Sequence, residues 1–203
     1  MNKFTELLRA ELAQAGYIEC LTMSLLSLKE NYTFLRKELD FNECVQIANP
    51  KTIEFEIVRT HLTPGLLKTF FGNSKEPLPQ RIFEVSDVVT LDPTAETNAR
   101  NHRHLAVLYL NTSSAFEVVQ GILDLVMTKV GAKFMVDYRL QEDESNPMYF
   151  PKRGAHVLFK GNSIGSIGVL HPEVLENFKL KYPVTCFEIN IEPLFDHFRQ
   201  QQS

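Results

Sequence analysis

The chain reads as an α+β protein built on a mainly antiparallel sheet flanked by helices. Three observations carry that reading. Short apolar stretches with period-2 alternation, about seven or eight of them, are separated by turn residues. Amphipathic segments at helical spacing, about three or four, fall between them. Most connections are too short for the crossovers that parallel strands require. With 203 residues, 44% hydrophobic and 23% charged, one core and one domain over residues 1–203 are expected.

Phe4, Leu7, Leu8, Leu12 and Ala15 share a helical face in residues 2–15, and Gly16 supplies a stop. Ile18 to Leu26 reads as a strand and Leu28 to Lys37 as a weak helix. After the Asn49-Pro50 turn, Thr63 suits an N-cap and Pro64 a first helical position. Leu66, Leu67, Phe70 and Phe71 then form an apolar stripe ending at Gly72-Asn73. Arg59, Thr60 and His61 precede that helix. A cation beside a helix N-terminus makes Arg59 a candidate anion contact, although pairing with a nearby carboxylate is the simpler reading.

Arg81 to Leu91 is a strand on which Glu84 and Asp87, three apart, face opposite sides, which argues against a shared acid–base role. Thr94 to Arg103 reads as a polar loop and 104–111 as the next strand. His102 and His104 form an i, i+2 pair without a third ligand nearby. Ser113 or Ser114 caps a helix carrying Phe116, Val119, Ile122, Leu123, Val126, Met127 and Val130. Lys133 to Gln141 is read as a strand, and Glu142, Asp143 and Glu144 as a solvated loop, since three adjacent carboxylates do not converge on a cation. The strand 155–160 joins the next through a turn at Gly161-Asn162. Gly165 and Gly168 punctuate that next strand. Pro172 opens a short helix, and the final strand places Phe187, Ile189 and Ile191 on an apolar face and Cys186, Glu188 and Asn190 on a polar one.

Composition narrows the function. A net charge of −4, from 21 basic and 25 acidic residues without clustering, offers no broad footprint for nucleic acid. Cys20, Cys44 and Cys186 are odd in number and widely spaced, which suits a reducing cytoplasm better than a disulfide framework or a zinc site. No apolar run approaches the roughly 20 residues that span a bilayer. Phosphate loops, dinucleotide fingerprints and HExxH motifs are absent from the sequence.

Taken in order, FTELLRAELAQAGYIECLTMSLLS, IANP, VRTHLTPGLLKTF, RIFEVSDVV, IGSIGVLHPEVLENF and FEINIEPL resemble the C-terminal catalytic-like domain of phenylalanyl-tRNA synthetase β subunits of the eukaryotic and archaeal type. The resemblance covers nearly the whole chain. It implies a class II synthetase-like fold and a fragment of a longer β subunit, whose editing and magnesium-binding parts lie elsewhere. It also implies pairing with a catalytic α subunit in an (αβ)2 assembly that acts on ATP, phenylalanine and tRNA(Phe), with no membrane association.

The α subunit's last strand resembles FGLGIERL. On that pattern two glycines become Glu188 and Asn190, and the arginine that contacts ATP phosphates becomes Pro193. Side chains there crowd an adenine, a carboxylate repels a triphosphate, and loss of a clamp of about 3 kcal/mol costs roughly a hundredfold in rate. Glu188, Asn190 and Pro193 are therefore expected to mark a degenerate nucleotide site with no catalytic residue, metal or cofactor of its own. The class II subunit-contact motif makes Phe4, Leu7, Leu8 and Leu12 the candidate interface. Two alternatives stand beside this. One is an independent ATP- and amino-acid-binding enzyme using Arg59; the other is an RNA-binding module using Arg100, Arg103, Lys152 and Arg153.

Overall fold

A computed structural model describes residues 1–201. Nine strands and six α-helices follow one another as α1 (Asn2–Gln14), β1 (Ile18–Glu19), β2 (Leu25–Leu26), α2 (Leu28–Asn31), β3 (Ile57–Val58), α3 (Thr63–Gly72), β4 (Gln80–Leu91), β5 (Ala99–Leu110), α4 (Phe116–Lys129), β6 (Tyr138–Glu142), β7 (Tyr149–Phe159), β8 (Asn162–Leu170), α5 (Pro172–Asn177), β9 (Val184–Asn190) and α6 (Glu192–Gln201). Seven strands form one sheet in the order β1-β4-β5-β9-β8-β7-β6, and β2 and β3 form a separate ribbon. All pairs are antiparallel except β1 with β4, where Ile18 lies opposite Ile82.

Helices cover both faces of the sheet. Phe4, Leu8 and Leu12 of α1 and Val119, Leu123 and Val126 of α4 pack on Phe83, Val85, Val107, Phe187 and Ile189. On the other face Leu66, Leu67 and Phe70 of α3 and Val174 of α5 pack on Ile82, Ala106, Leu108 and Cys186. This corrects the expectation that the last strand has one buried side. Cys186 is fully buried too, because a central strand with helices on both faces leaves neither to water.

Other boundaries also shift. The expected strand 18–26 breaks into β1 and β2, because Cys20 donates to Phe83 O at 2.8 Å and the chain then leaves the sheet to reach β3. Residues 28–37 hold only one turn of α-helix and a 3-10 turn at Thr33–Leu35. The polar run Ala99–Arg103 is strand, paired with Asp87–Leu91 in a long β4–β5 hairpin. Residues 133–137 are a turn before β6, with the Lys133 N–H held by Asp137. The β7–β8 turn centres on Lys160 and Gly161, one residue earlier than expected. Both have positive φ (48° and 85°), as a two-residue hairpin turn matching the strand twist requires. Leu62 rather than Thr63 occupies the N-cap of α3, and Ala115 rather than a serine that of α4. Helix α6, unforeseen in the sequence, begins where Asn190 Oδ1 accepts the Glu192 N–H at 2.9 Å.

Candidate functional site

Strand β9 and the start of α3 meet at the middle of the sheet, and Glu188 joins them. Its Oε1 accepts from the Leu62 N–H at 2.9 Å, and its Oε2 from the Thr63 N–H at 3.0 Å and hydroxyl at 2.7 Å. His104 Nδ1, on the neighbouring strand, lies 2.9 Å from Oε1. Leu62 leaves α3 without a capping side chain of its own, so a residue 125 positions away in the chain supplies the cap. Burial works against the charge of Glu188, but the His104 hydrogen bond, the nearby imidazoles and Thr63 outweigh it and hold the carboxyl far below its ordinary range. The orphan N–H groups and the positive end of the helix dipole act in the same direction.

Beside this carboxylate lies a half-buried pair. Lys37 Nζ is 2.8 Å from His61 Nε2. Burial, with Lys37 adding to it, pushes His61 down to about 3, and burial also lowers Lys37. His61 is therefore a neutral acceptor at physiological pH, and Lys37 donates to it.

Arg59 does not present an open cation. It is 4% exposed, its Nη1 lies 2.9 Å from Glu84 Oε1, and it also donates to Thr22 Oγ1 at 2.9 Å and to Asp87 O at 3.2 Å. Thr22 donates in turn to Glu84 Oε2 at 2.7 Å. Pairing with a carboxylate is thus the arrangement found, and the guanidinium is consumed in joining the segment before α3 to β4. Thr60 is likewise occupied, by Asn31.

The other sequence candidates separate in space. Asn190 caps α6 and Pro193 sits in its first turn, so both have local structural partners. Phe4, Leu8 and Leu12 are buried in the domain's own core. Leu7 lines a groove with Phe195 and Phe198, so the α1 stripe is largely unavailable to a partner. His102 and His104 lie in β5 rather than on a loop edge, each facing its own carboxylate, Glu192 at 3.6 Å and Glu188. Asp143 is buried, accepts from Ser145 and pairs with His156 at 3.2 Å, while Glu142 ends β6; the acidic trio is not simply a solvated loop. Among the described residues no group of three or more His, Cys, Asp or Glu is placed to hold a metal ion.

Arg100, Arg103, Lys152 and Arg153 do not form one patch. His104 pairs with Asn190, whereas Gly154 pairs with Gly168 and Gly168 with Cys186, which puts the two pairs of cations at opposite ends of the sheet. Arg103 is also tied to Asp87.

The match to known families decides what this fold is. The family model described as the phenylalanyl tRNA synthetase beta chain CLM domain matches residues 1–191. The chain belongs to that family. Phenylalanine–tRNA ligase β subunits of Drosophila melanogaster (47% identical over 198 residues) and Homo sapiens (41% over 196 residues) each align with 95% of the chain. That of Saccharomyces cerevisiae is 39% identical over 207 residues. The chain spans about a third of the length of these curated relatives (33–35%). A pyrrolysyl tRNA synthetase structure from Desulfitobacterium hafniense superposes with a TM-score of 0.78 over 98% of this chain and 68% of that one. At 15% identity this likeness shows the fold alone, that of a class II synthetase-like sheet flanked by helices.

Sequence reading singled out Glu188 but missed its partners Leu62, Thr63 and His104, and it missed the Lys37–His61 pair. Thr63 reads in the sequence as an adequate N-cap, and only the structure moves that position to Leu62 and leaves it needing an acceptor from elsewhere.

Proposed function

We propose that this chain is the non-catalytic, class II-like domain of a phenylalanine–tRNA ligase β subunit. It pairs with and supports a catalytic α subunit in an (αβ)2 assembly. In that assembly the α subunit carries the ATP- and magnesium-dependent attachment of phenylalanine to tRNA(Phe), in the cytoplasm. The relatives' names and the family match support the ligase assignment. One relative, from Arabidopsis thaliana, is named cytoplasmic, and no helix among the described residues is long and apolar enough to cross a membrane.

One observation carries the non-catalytic reading: the Glu188 carboxylate occupies the donors at the start of α3. A triphosphate does not fit this site, since the donors are satisfied and a like charge already sits on them. Pro193 offers no cation in compensation. Pyrophosphate exchange by the purified chain with ATP and phenylalanine should stay at background. ATP-dependent adenylate formation would overturn the reading.

For the pairing surface, the free edge of the main sheet replaces the buried stripe of α1. Strand β1 ends the sheet, and Ile18 (69% exposed), Leu21 (79%) and Met23 (65%) stand in water beside it. Exposed apolar groups on an unpaired edge mark a surface that expects cover. Phe134, Met135 and Val136 are exposed just before β6, which forms the opposite edge of the sheet, and give an internal control. With a purified α subunit, Leu21→Asp should abolish association without lowering the melting temperature of the isolated chain, and Val136→Asp should leave association intact. The reverse pattern would refute this placement.

A further inference from the structure

Beside that edge lies a pocket of about 540 Å³, lined by Ile18, Phe70, Pro77, Pro79 and Ile82 among others, with Arg81 as its cation. Its volume falls in the range of binding pockets. The polar groups around it are unusual for an interior that otherwise pairs its charges. Arg81 makes no ion pair and no side-chain hydrogen bond among the described residues; its Nε is buried without a partner, and its only contact of note is with the Tyr109 ring, 5.8 Å away. The Tyr17 hydroxyl, 4% exposed as a residue, is also buried without a partner. Arg81 and Tyr17 are neighbours: the cation pulls the phenol's pKa down while burial, the larger effect, pushes it up to about 12. Gly16, at φ +83°, lines the same wall, and a Cβ there would meet Arg81 Nη1 in ordinary contact at 3.5 Å. Glu76 also lines the pocket, but it is exposed and lies beyond ion-pair distance.

A buried N–H without an acceptor costs free energy, and the planar fork of the guanidinium matches a carboxylate. Elsewhere in this chain the buried arginine, Arg59, has its carboxylate. No described residue supplies Arg81 with a carboxylate, and its guanidinium is half-exposed at the pocket. Ile18 belongs both to the pocket wall and to the exposed edge patch, so whatever covers the edge also covers the pocket mouth.

We infer that the pocket is a docking socket for the partner chain, which inserts an aspartate or glutamate side chain onto Arg81 while an adjoining apolar side chain packs on Ile18, Phe70 and Pro79. This rests on the proposed pairing through the β1 edge and adds to it the chemistry the partner must present. A cation desolvated only in the complex gives specificity and a slow off-rate.

Arg81→Met separates this role from a structural one. In the isolated chain it should leave the melting temperature unchanged or raise it, because it removes a half-exposed cation whose buried Nε–H has no acceptor. Association with the α subunit should weaken by about tenfold or more, with Arg81→Lys intermediate, since an ammonium keeps the charge and loses the fork. A lower melting temperature with unchanged affinity would assign Arg81 to the chain's own fold and overturn the inference. Association lost in Leu21→Asp but unaffected in Arg81→Met would keep the edge interface and remove the carboxylate socket. If neither variant affects association, the interface reading falls with it. Hexanoate serves as a probe of the remaining alternative. Stabilisation of the isolated chain by millimolar hexanoate, lost in Arg81→Met while α-subunit affinity is unchanged, would make the pocket a small-molecule site instead.

Discussion

Replacing Glu188 by glutamine tests the central feature of the domain at constant shape. The two carboxylate oxygens divide four donors: Leu62 N–H and His104 on Oε1, Thr63 N–H and hydroxyl on Oε2. A glutamine serves one pair with its oxygen and turns an NH2 toward the other. The Thr63 hydroxyl or the His104 ring can reverse its role and accept, but a backbone N–H cannot, so one buried N–H is orphaned at about 1–3 kcal/mol. Losing the charge at the helix N-terminus adds roughly 0.3–2 kcal/mol. The sum, about 3 kcal/mol, corresponds to ~6–12 °C in a protein of this size. Thermal and urea unfolding at pH 7 measure it. Because the folded pKa of Glu188 lies below its unfolded value, the carboxylate's contribution is complete above pH ~4.5 and fades as pH falls toward the folded pKa. The gap between the parent and Glu188→Gln should therefore narrow in acid. An unchanged or raised melting temperature at pH 7, or ATP binding gained by the variant, would refute the reasoning.

Three further outcomes follow from other parts of the molecule. Arg59→Met should cost about 3–5 kcal/mol by stranding Glu84, while the double variant Arg59→Met/Glu84→Leu should cost clearly less than the two single changes combined, as a double-mutant cycle in urea would show. His61 is held neutral at about 3 in the folded chain against 6.5 when free, so the unfolded state binds the extra proton between those values. Stability should fall as pH drops from 6.5 toward 3, by up to ~1.4 kcal/mol per pH unit from this group, and His61→Gln should flatten the profile. Gly168→Ala should destabilise strongly, because a Cβ there would stand 2.6 Å from Tyr149 Cγ and 2.7 Å from Arg153 O, with Tyr149 itself packed on Gly154; circular dichroism melts report the loss.

Helices α1, α3 and α4 were legible because their apolar residues recur at the helical period over several turns. Strand β5 was not legible at its start. Ala99–Arg103 is polar enough to pass for a loop, and its strand character comes from a partner strand across a seven-residue turn and from Asp87 and Glu192 receiving its side chains. The interface candidate meets a related limit: an apolar stripe says that a helix face is covered, and not whether its own core or another chain covers it. Phe4, Leu8 and Leu12 are covered by the domain itself.

By itself the sequence determined the antiparallel α+β class, the punctuation by glycine and proline, and the alternation of apolar and polar residues along the last strand. These are local facts, fixed by side-chain period, backbone freedom and residue chemistry. Only the tertiary structure decided what those residues do. It brought Glu188 onto the start of α3, closed Arg59 on Glu84 and left Arg81 without a carboxylate among the described residues, since charges far apart in the chain meet only when the sheet has set their register.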